Sequence, residues 1–203
     1  MSRLDVLRSL LRAAGDGTRA RLGTLGPIAN LRERLKSLRD GRVPIPVTRI
    51  TPCLARAEGI SSLSAAASGG AIRVHATLED GESMELSIEP LSAHFAARGA
   101  KELSFRVQPE ELAHSAPAKA LVGSLAGLIA RTLFAVAMPG ADEGEAALAE
   151  RDGPGRLRVD LRSLPSLRSA PRAMSLALDA LSLDSVEIED GALVLRVRLP
   201  GFG

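Results

Sequence analysis

The sequence predicts an α+β domain: a curved antiparallel sheet wrapped around one long apolar helix, with an N-terminal helical extension. Two observations predict it. The first is strict alternation in Ile72-Val74-Ala76-Leu78, Met84-Leu86-Ile88, Leu103-Phe105-Val107, Leu157-Val159-Leu161 and Leu193-Leu195-Val197-Leu199, with Arg73, His75, Glu85, Arg106, Arg158 and Arg196 among the residues between. A period of two with one apolar and one polar face marks strands buried on one side and wetted on the other. The second is the stretch 118–138, apolar nearly all round, which needs cover on most sides.

The elements follow in chain order. Leu4, Leu7, Leu10, Leu11 and Ala14 mark one face of a first helix, stopped by Gly15 and Gly17. A second helix follows Pro27, with Ile28, Leu31, Leu35 and Leu38 as its stripe, basic residues in its last turn and Gly41 to end it. Val43-Pro44-Ile45-Pro46-Val47 is extended, because two prolines two apart exclude a helix. This places the boundary between a basic helical extension, 1–42, and the main domain, 43–203. Residues 60–67, rich in Ser and Ala, fit a small-residue strand or a loop, with a weak strand favoured, and Gly69-Gly70 turn the chain into the strand 72–78. Asp80-Gly81 and Asp190-Gly191 each close a hairpin, the second between Val186-Ile188 and Leu193-Leu199. His94 falls in a helix or loop. Pro109-Glu110-Glu111 opens a helical turn, and Pro117 restarts the helix that runs to Met138. The polar loop 140–155 is the stretch most prone to disorder. Residues 162–172 cross the domain, and 173–181 fit a short helix or a strand equally.

Composition narrows the function. The chain of 203 residues is 45% hydrophobic, with four Phe and neither Trp nor Tyr. Without aromatic stacking platforms and with a formal net charge of only +2, nucleic acid is not an expected partner. The charge is unevenly spread: residues 1–42 carry ten Arg or Lys against four acids, while the loop 140–152 is acidic. Arg8, Arg12, Arg32, Lys36 and Arg39 are the candidates for contact with an anionic membrane surface or a partner. Arg34 sits beside the apolar stripe and counts against membrane burial. Cys53 is the single cysteine, which excludes an intrachain disulfide and suits a reducing compartment. Asp5, Arg8 and Arg12 interrupt any signal-peptide core. Arg131 makes 118–138 a poor membrane span, at about 2.5–3.5 kcal/mol for a charge at mid-bilayer. The expected location is cytoplasmic; the basic helices pack on the parent domain or on a second copy, with peripheral membrane attachment as the alternative.

No chemistry-bearing constellation competes. His75, His94 and His114 have no ligand partner at metal-site spacing. Ser124 lies within a helix, not at a strand-to-helix elbow. No glycine-rich phosphate loop is present, and Glu79, Asp80, Glu189 and Asp190 are turn residues. The expectation is a protein that is not an enzyme and uses neither cofactor nor metal. Gly123, Ser124, Ala126, Gly127 and Ala130 form a smooth strip on the long helix, which packs on the sheet or leaves room for an acyl chain. The expected function is non-catalytic binding or transport of a lipid or other long apolar ligand in a cleft lined by Val74, Leu86, Phe105, Leu125, Ile129, Leu133, Val159 and Leu195. The competing class is an interaction module with a filled core, acting through partner docking or homo-oligomerisation at unprotected strand edges.

The last fifty residues carry a strand, a variable crossing stretch and the hairpin Val186-x-Ile188-x-Asp190-Gly191-x-Leu193-x-Leu195. This order resembles the C-terminal end of bacterial LmeA-like phospholipid-binding proteins, and Ala71–Glu89 is similar to their mid-chain strands. That family is similar in turn to the tubular lipid-binding superfamily. The resemblance implies a highly curved sheet wound about a long helix with lipid between them. It covers about half the chain. The basic N-terminal helices and the lack of an evident signal or anchor depart from the family. A sterol-carrier-like fold is a second resemblance, also with an apolar tunnel.

Overall fold

The computed structural model describes residues 41–96, 99–134, 144–168 and 182–198. The extension, with Arg8, Arg12, Arg32, Lys36 and Arg39, lies outside the described residues, as do 135–143 and 169–181. The fold is α+β with antiparallel sheets, as expected. The described strands form two sheets, of six and three strands, where the alternation predicts a single curved sheet.

Strand β1 (Arg42–Pro46) is extended through both prolines, and it begins one residue inside the predicted extension. Helix α1 (Val47–Leu54) was not foreseen: it is short and contains Pro52, which removes one helical donor. Tertiary burial of Ile50, Cys53 and Leu54, spaced three and four apart, holds it in place. Strands β2 (Ile60–Ser68) and β3 (Ala71–Leu78) are joined at Gly69-Gly70, both with positive φ (60° and 80°), which allows a two-residue turn matched to strand twist. β4 (Ser83–Phe95) runs well past the predicted Ile88 and places His94 in a strand opposite Glu102, correcting the helix-or-loop expectation. Its alternation is broken by a bulge between Pro90 and Ser92, which hides the second half from a period-two reading. β5 (Lys101–Gln108) follows, then a 3-10 turn (Glu110–His114) in place of the predicted helix start.

Ser115 accepts from the Ala118 N–H at 3.2 Å and caps α2 (Ala116–Phe134), the long apolar helix. β6 (Ala149–Arg151), β7 (Arg156–Asp160), a 3-10 turn (Leu161–Ser163) and α3 (Pro165–Arg168) complete the middle of the chain. Leu161 therefore leaves the strand predicted for it but remains buried. β8 (Ser182–Glu189) and β9 (Ala192–Arg198) form the C-terminal hairpin.

The larger sheet has the order β2-β3-β4-β5-β7-β6 and the smaller β1-β9-β8. On the inner face of the larger sheet, registered rows run Ala67-Ile72-Ile88-Val107, Ala65-Val74-Leu86 and Ala149-Val159-Leu103. On its outer face Arg106 pairs with Glu89 at 3.0 Å, and Arg158 reaches Glu102 and Glu150 at 3.8 and 3.7 Å. Such exposed pairs contribute at most about 1 kcal/mol each. The smaller sheet is similarly laced: Arg42 binds Glu189, Arg196 lies 3.3 Å from Glu187, and Arg198 lies 3.0 Å from Asp184. The Ser185 hydroxyl and then Arg196 hold the Glu187 carboxyl below its usual range. The two sheets meet where β8 lies against β4 and where the Gly191 N–H donates to the Ala67 carbonyl at 3.0 Å.

Candidate functional site

Helix α2 is the centre of the candidate site. Ten consecutive residues, Leu121–Ala130, are buried. Ser124 brings the only side-chain hydroxyl in that run, so nearly every direction off the helix meets apolar neighbours. The helix packs on α1, on β5, β6 and β7, and on both 3-10 turns.

The glycine strip has a specific partner. A β-carbon at Gly123 would lie 2.2 Å from the Ala147 carbonyl oxygen, and one at Gly127 would lie 2.2 Å from the Glu145 carbonyl oxygen. The four residues from Gly123 to Gly127 rise about 6 Å along the helix, and two residues of extended chain advance about 6.6 Å. The segment 145–147 therefore runs antiparallel to α2 as a strap, laying alternate carbonyls on successive glycines. The Ala147 N–H completes the contact by donating to the Gly123 carbonyl at 3.0 Å. This corrects two expectations. At Gly123 and Gly127 the strip packs on this strap instead of on the sheet, and residues 144–155 of the loop 140–155 follow an ordered path, with Ala147 and Ala149 buried.

Arg131 secures the end of the strap. Its Nη1 donates to the Glu145 carbonyl at 3.2 Å and its Nη2 to Cys53 Sγ at 3.3 Å. The Cys53 thiol lies 3.5 Å from the Ser124 carbonyl, which accepts from it. Burial pushes the Cys53 pKa up, and the Arg131 charge only partly opposes it, so the thiol stays protonated and is a poor nucleophile. The Glu145 carboxylate accepts from the Ser166 N–H at 2.6 Å, and the Ser163 hydroxyl accepts from the Leu148 N–H at 3.0 Å. These polar contacts tie the strap, α1, α2 and the turn after β7 into one unit.

All eight predicted lining residues fall in a single apolar cluster. Val74 and Leu86 face each other across β3 and β4, while Phe105 and Val159 lie on β5 and β7. Leu125, Ile129 and Leu133 come from α2, and Leu195 comes from the smaller sheet. None is more than 7% exposed, so in this form they line a filled interior. Two surface grooves, of about 320 and 720 Å³, lie instead against the outer face of the larger sheet, beside His75 and beside Gln108. Sequence reasoning missed Lys101, a fully buried charged side chain on the inward row of β5. Its ammonium donates to the Ala96 carbonyl at 2.5 Å and sits 5.5 Å from the Phe95 ring centre. The Lys-x-Leu-x-Phe-x-Val alternation was the signal that could have placed it.

His75 projects from the outer face toward Glu85 at 3.5 Å, and no group of three metal-ligating side chains occurs among the described residues. Among the same residues no helix is long and apolar enough to cross a membrane. Comparison with protein-family models, with curated proteins and with solved structures finds no match to this chain.

Proposed function

We propose that the domain binds a lipid or another long apolar molecule without catalysis, between α2 and the inner faces of the sheets. In this reading the sheets curve around the helix as in the LmeA-like and tubular lipid-binding proteins that the sequence resembles. One observation carries it: the ten-residue run of α2 buried among aliphatic side chains. An acyl chain entering such an interior exchanges one set of dispersion contacts for another. The basic residues Arg8, Arg12, Arg32, Lys36 and Arg39 would then bring the domain to an anionic membrane surface, a step that flotation with anionic and neutral liposomes checks. The deciding experiment is native mass spectrometry and solvent extraction of the purified protein, with uptake of a fluorescent fatty acid. Co-purifying lipid or saturable uptake supports the reading. Neither one, from a stably folded protein, rejects it.

A second reading is favoured by the burial of all eight lining residues and by the occupied glycine strip. It is an interaction module with a permanently filled core, which acts through its surface. Such a protein carries no lipid and its function is lost with its partner contacts.

A further inference from the structure

We propose that the buried ammonium of Lys101 receives the carboxylate of a single-chain fatty acid, whose tail follows the inner face of β5. The inference rests on the lipid-binding reading above and names its ligand class. Among the described residues Lys101 is the one charged side chain buried from solvent, at 0% exposure. It heads the inward row of β5 and is followed by Leu103, Phe105 and Val107, none more than 1% exposed. Phe95 and Lys101 are the last registered pair of β4 and β5, so the charge stands at the end of the sheet. Phe95, Ala96 and Ala100 beside it in the hairpin are only partly buried, whereas the rest of the row is sealed. The row is therefore amphiphilic along its length, with a cation at its shallow end and an apolar floor leading inward.

Two contacts fix the charge there. The Ala96 carbonyl accepts from Nζ at 2.5 Å, and the Phe95 ring centre lies 5.5 Å away. An ammonium has three donors, so it can hold this carbonyl and a carboxylate together. Glu102, the adjacent acid, is on the outer face, where Arg158 reaches it at 3.8 Å. A fatty acid has the polarity of the row: one anionic end and a long apolar tail. Lys101 to Val107 spans about 20 Å of antiparallel strand, which matches an extended hexadecanoyl chain. A carboxylate entering the interior loses its hydration, and a cation already placed there offsets much of that loss. The alcohol with the same tail has no such attraction to gain. An alkyl phosphate brings a charge of about −1.5 to −2 near neutral pH, more than one ammonium balances.

The test is equilibrium binding of radiolabelled hexadecanoic acid, hexadecanol and hexadecyl phosphate to the full chain. The native protein should hold the acid about tenfold or more tighter than the alcohol. Lys101→Met and Lys101→Gln, both uncharged, should abolish that preference and leave alcohol binding within about threefold. Lys101→Arg should keep it. Circular dichroism and urea unfolding check that each variant folds. A reading that needs no variant is nuclear magnetic resonance of the native complex, in which the α-methylene protons of the acid should show Overhauser contacts to the Phe95 ring. Equal binding of acid and alcohol leaves the lipid-binding reading standing and overturns this assignment alone. So does a preference that survives in Lys101→Met or Lys101→Gln, a parallel loss of both ligands in those variants, absence of the Phe95 contacts, or tighter binding of the phosphate than of the acid. Failure of the native protein to bind any of the three overturns the lipid-binding reading and this assignment with it.

Discussion

Gly127 and Glu145 are in backbone contact: a β-carbon on the glycine would come within 2.2 Å of the glutamate carbonyl oxygen. Real side chains do not survive at that distance, so one of the two segments must move. Gly127→Ala adds up to about 1 kcal/mol of helix propensity. The overlap costs more, and we expect a net loss of about 2–4 kcal/mol. Gly123→Ala should lose a similar amount against the Ala147 carbonyl. Urea unfolding followed by far-ultraviolet circular dichroism reads both, and an unchanged or raised midpoint contradicts the strap geometry.

Cys53 should behave as a protonated, sequestered thiol. Burial raises its pKa above the ordinary 9.0. Below that value the thiol is neutral in folded and unfolded chains alike, and its contribution to stability is fully present. As pH rises through about 9 and beyond, the unfolded chain ionises while the folded chain resists, so stability falls. Denaturant midpoints between pH 8 and pH 10.5 should therefore drop for the native sequence and drop less for Cys53→Ala. A thiol that reacts with an aromatic disulfide reagent as fast in the native protein as in urea argues against this picture.

Phe105 is fully buried, opposite Leu157 in the sheet register. In a filled interior, Phe105→Ala should cost about 3–5 kcal/mol. A loss below about 1.5 kcal/mol means that the surroundings collapse readily or were never tightly packed. Measuring the variant with and without added fatty acid connects this to ligand binding. Recovery of stability by the fatty acid in the variant alone points to a dry void, whereas recovery in both proteins points to a native site.

Arg131 joins the Glu145 carbonyl to Cys53. Arg131→Met keeps much of the apolar stem and removes the donors. The strap should open locally, so that the Ala147 and Leu148 amides exchange hydrogen about tenfold faster, equivalent to about 1.4 kcal/mol. Amides in β3 and β4 should be unaffected. Uniform acceleration across the domain means that the arginine supports global stability instead.

The strands were the most legible part of the sequence. Rows such as Ile72-Val74-Ala76 and Leu193-Leu195-Val197 alternate cleanly because one face is buried and the other wetted. The bulge at Pro90 concealed half of β4, since one inserted residue inverts every later side chain. Alternation says which face is buried but not which strand is the neighbour, so the division into two sheets was not readable. Helix α1 escaped because burial of three residues outweighs Pro52, and burial is not a local property. The strap left almost no trace in its own residues, Glu145-Ala146-Ala147. Its contact is backbone on backbone, and the only signature is on the other partner, in Gly123 and Gly127. Those glycines were recognised as a place of close approach, but the segment that approaches was not.

The pairing of β1 with β9 has a consequence for how the molecule is made. Arg42 and Glu189, joined by an ion pair, are 147 positions apart, and β1 has no strand partner in the described fold except β9. A nascent chain emerging from the ribosome therefore displays Val43 and Ile45 long before Leu193 and Leu195 exist to cover them. The larger sheet, made from neighbours in sequence apart from the α2 crossing, can assemble in the meantime. The smaller sheet waits for the last strand, and any interruption of synthesis before β9 leaves β1 stranded as well as β8. Quality control acting on the growing chain would see that exposed pair of aliphatic residues throughout, and would lose sight of it only when the final hairpin closes.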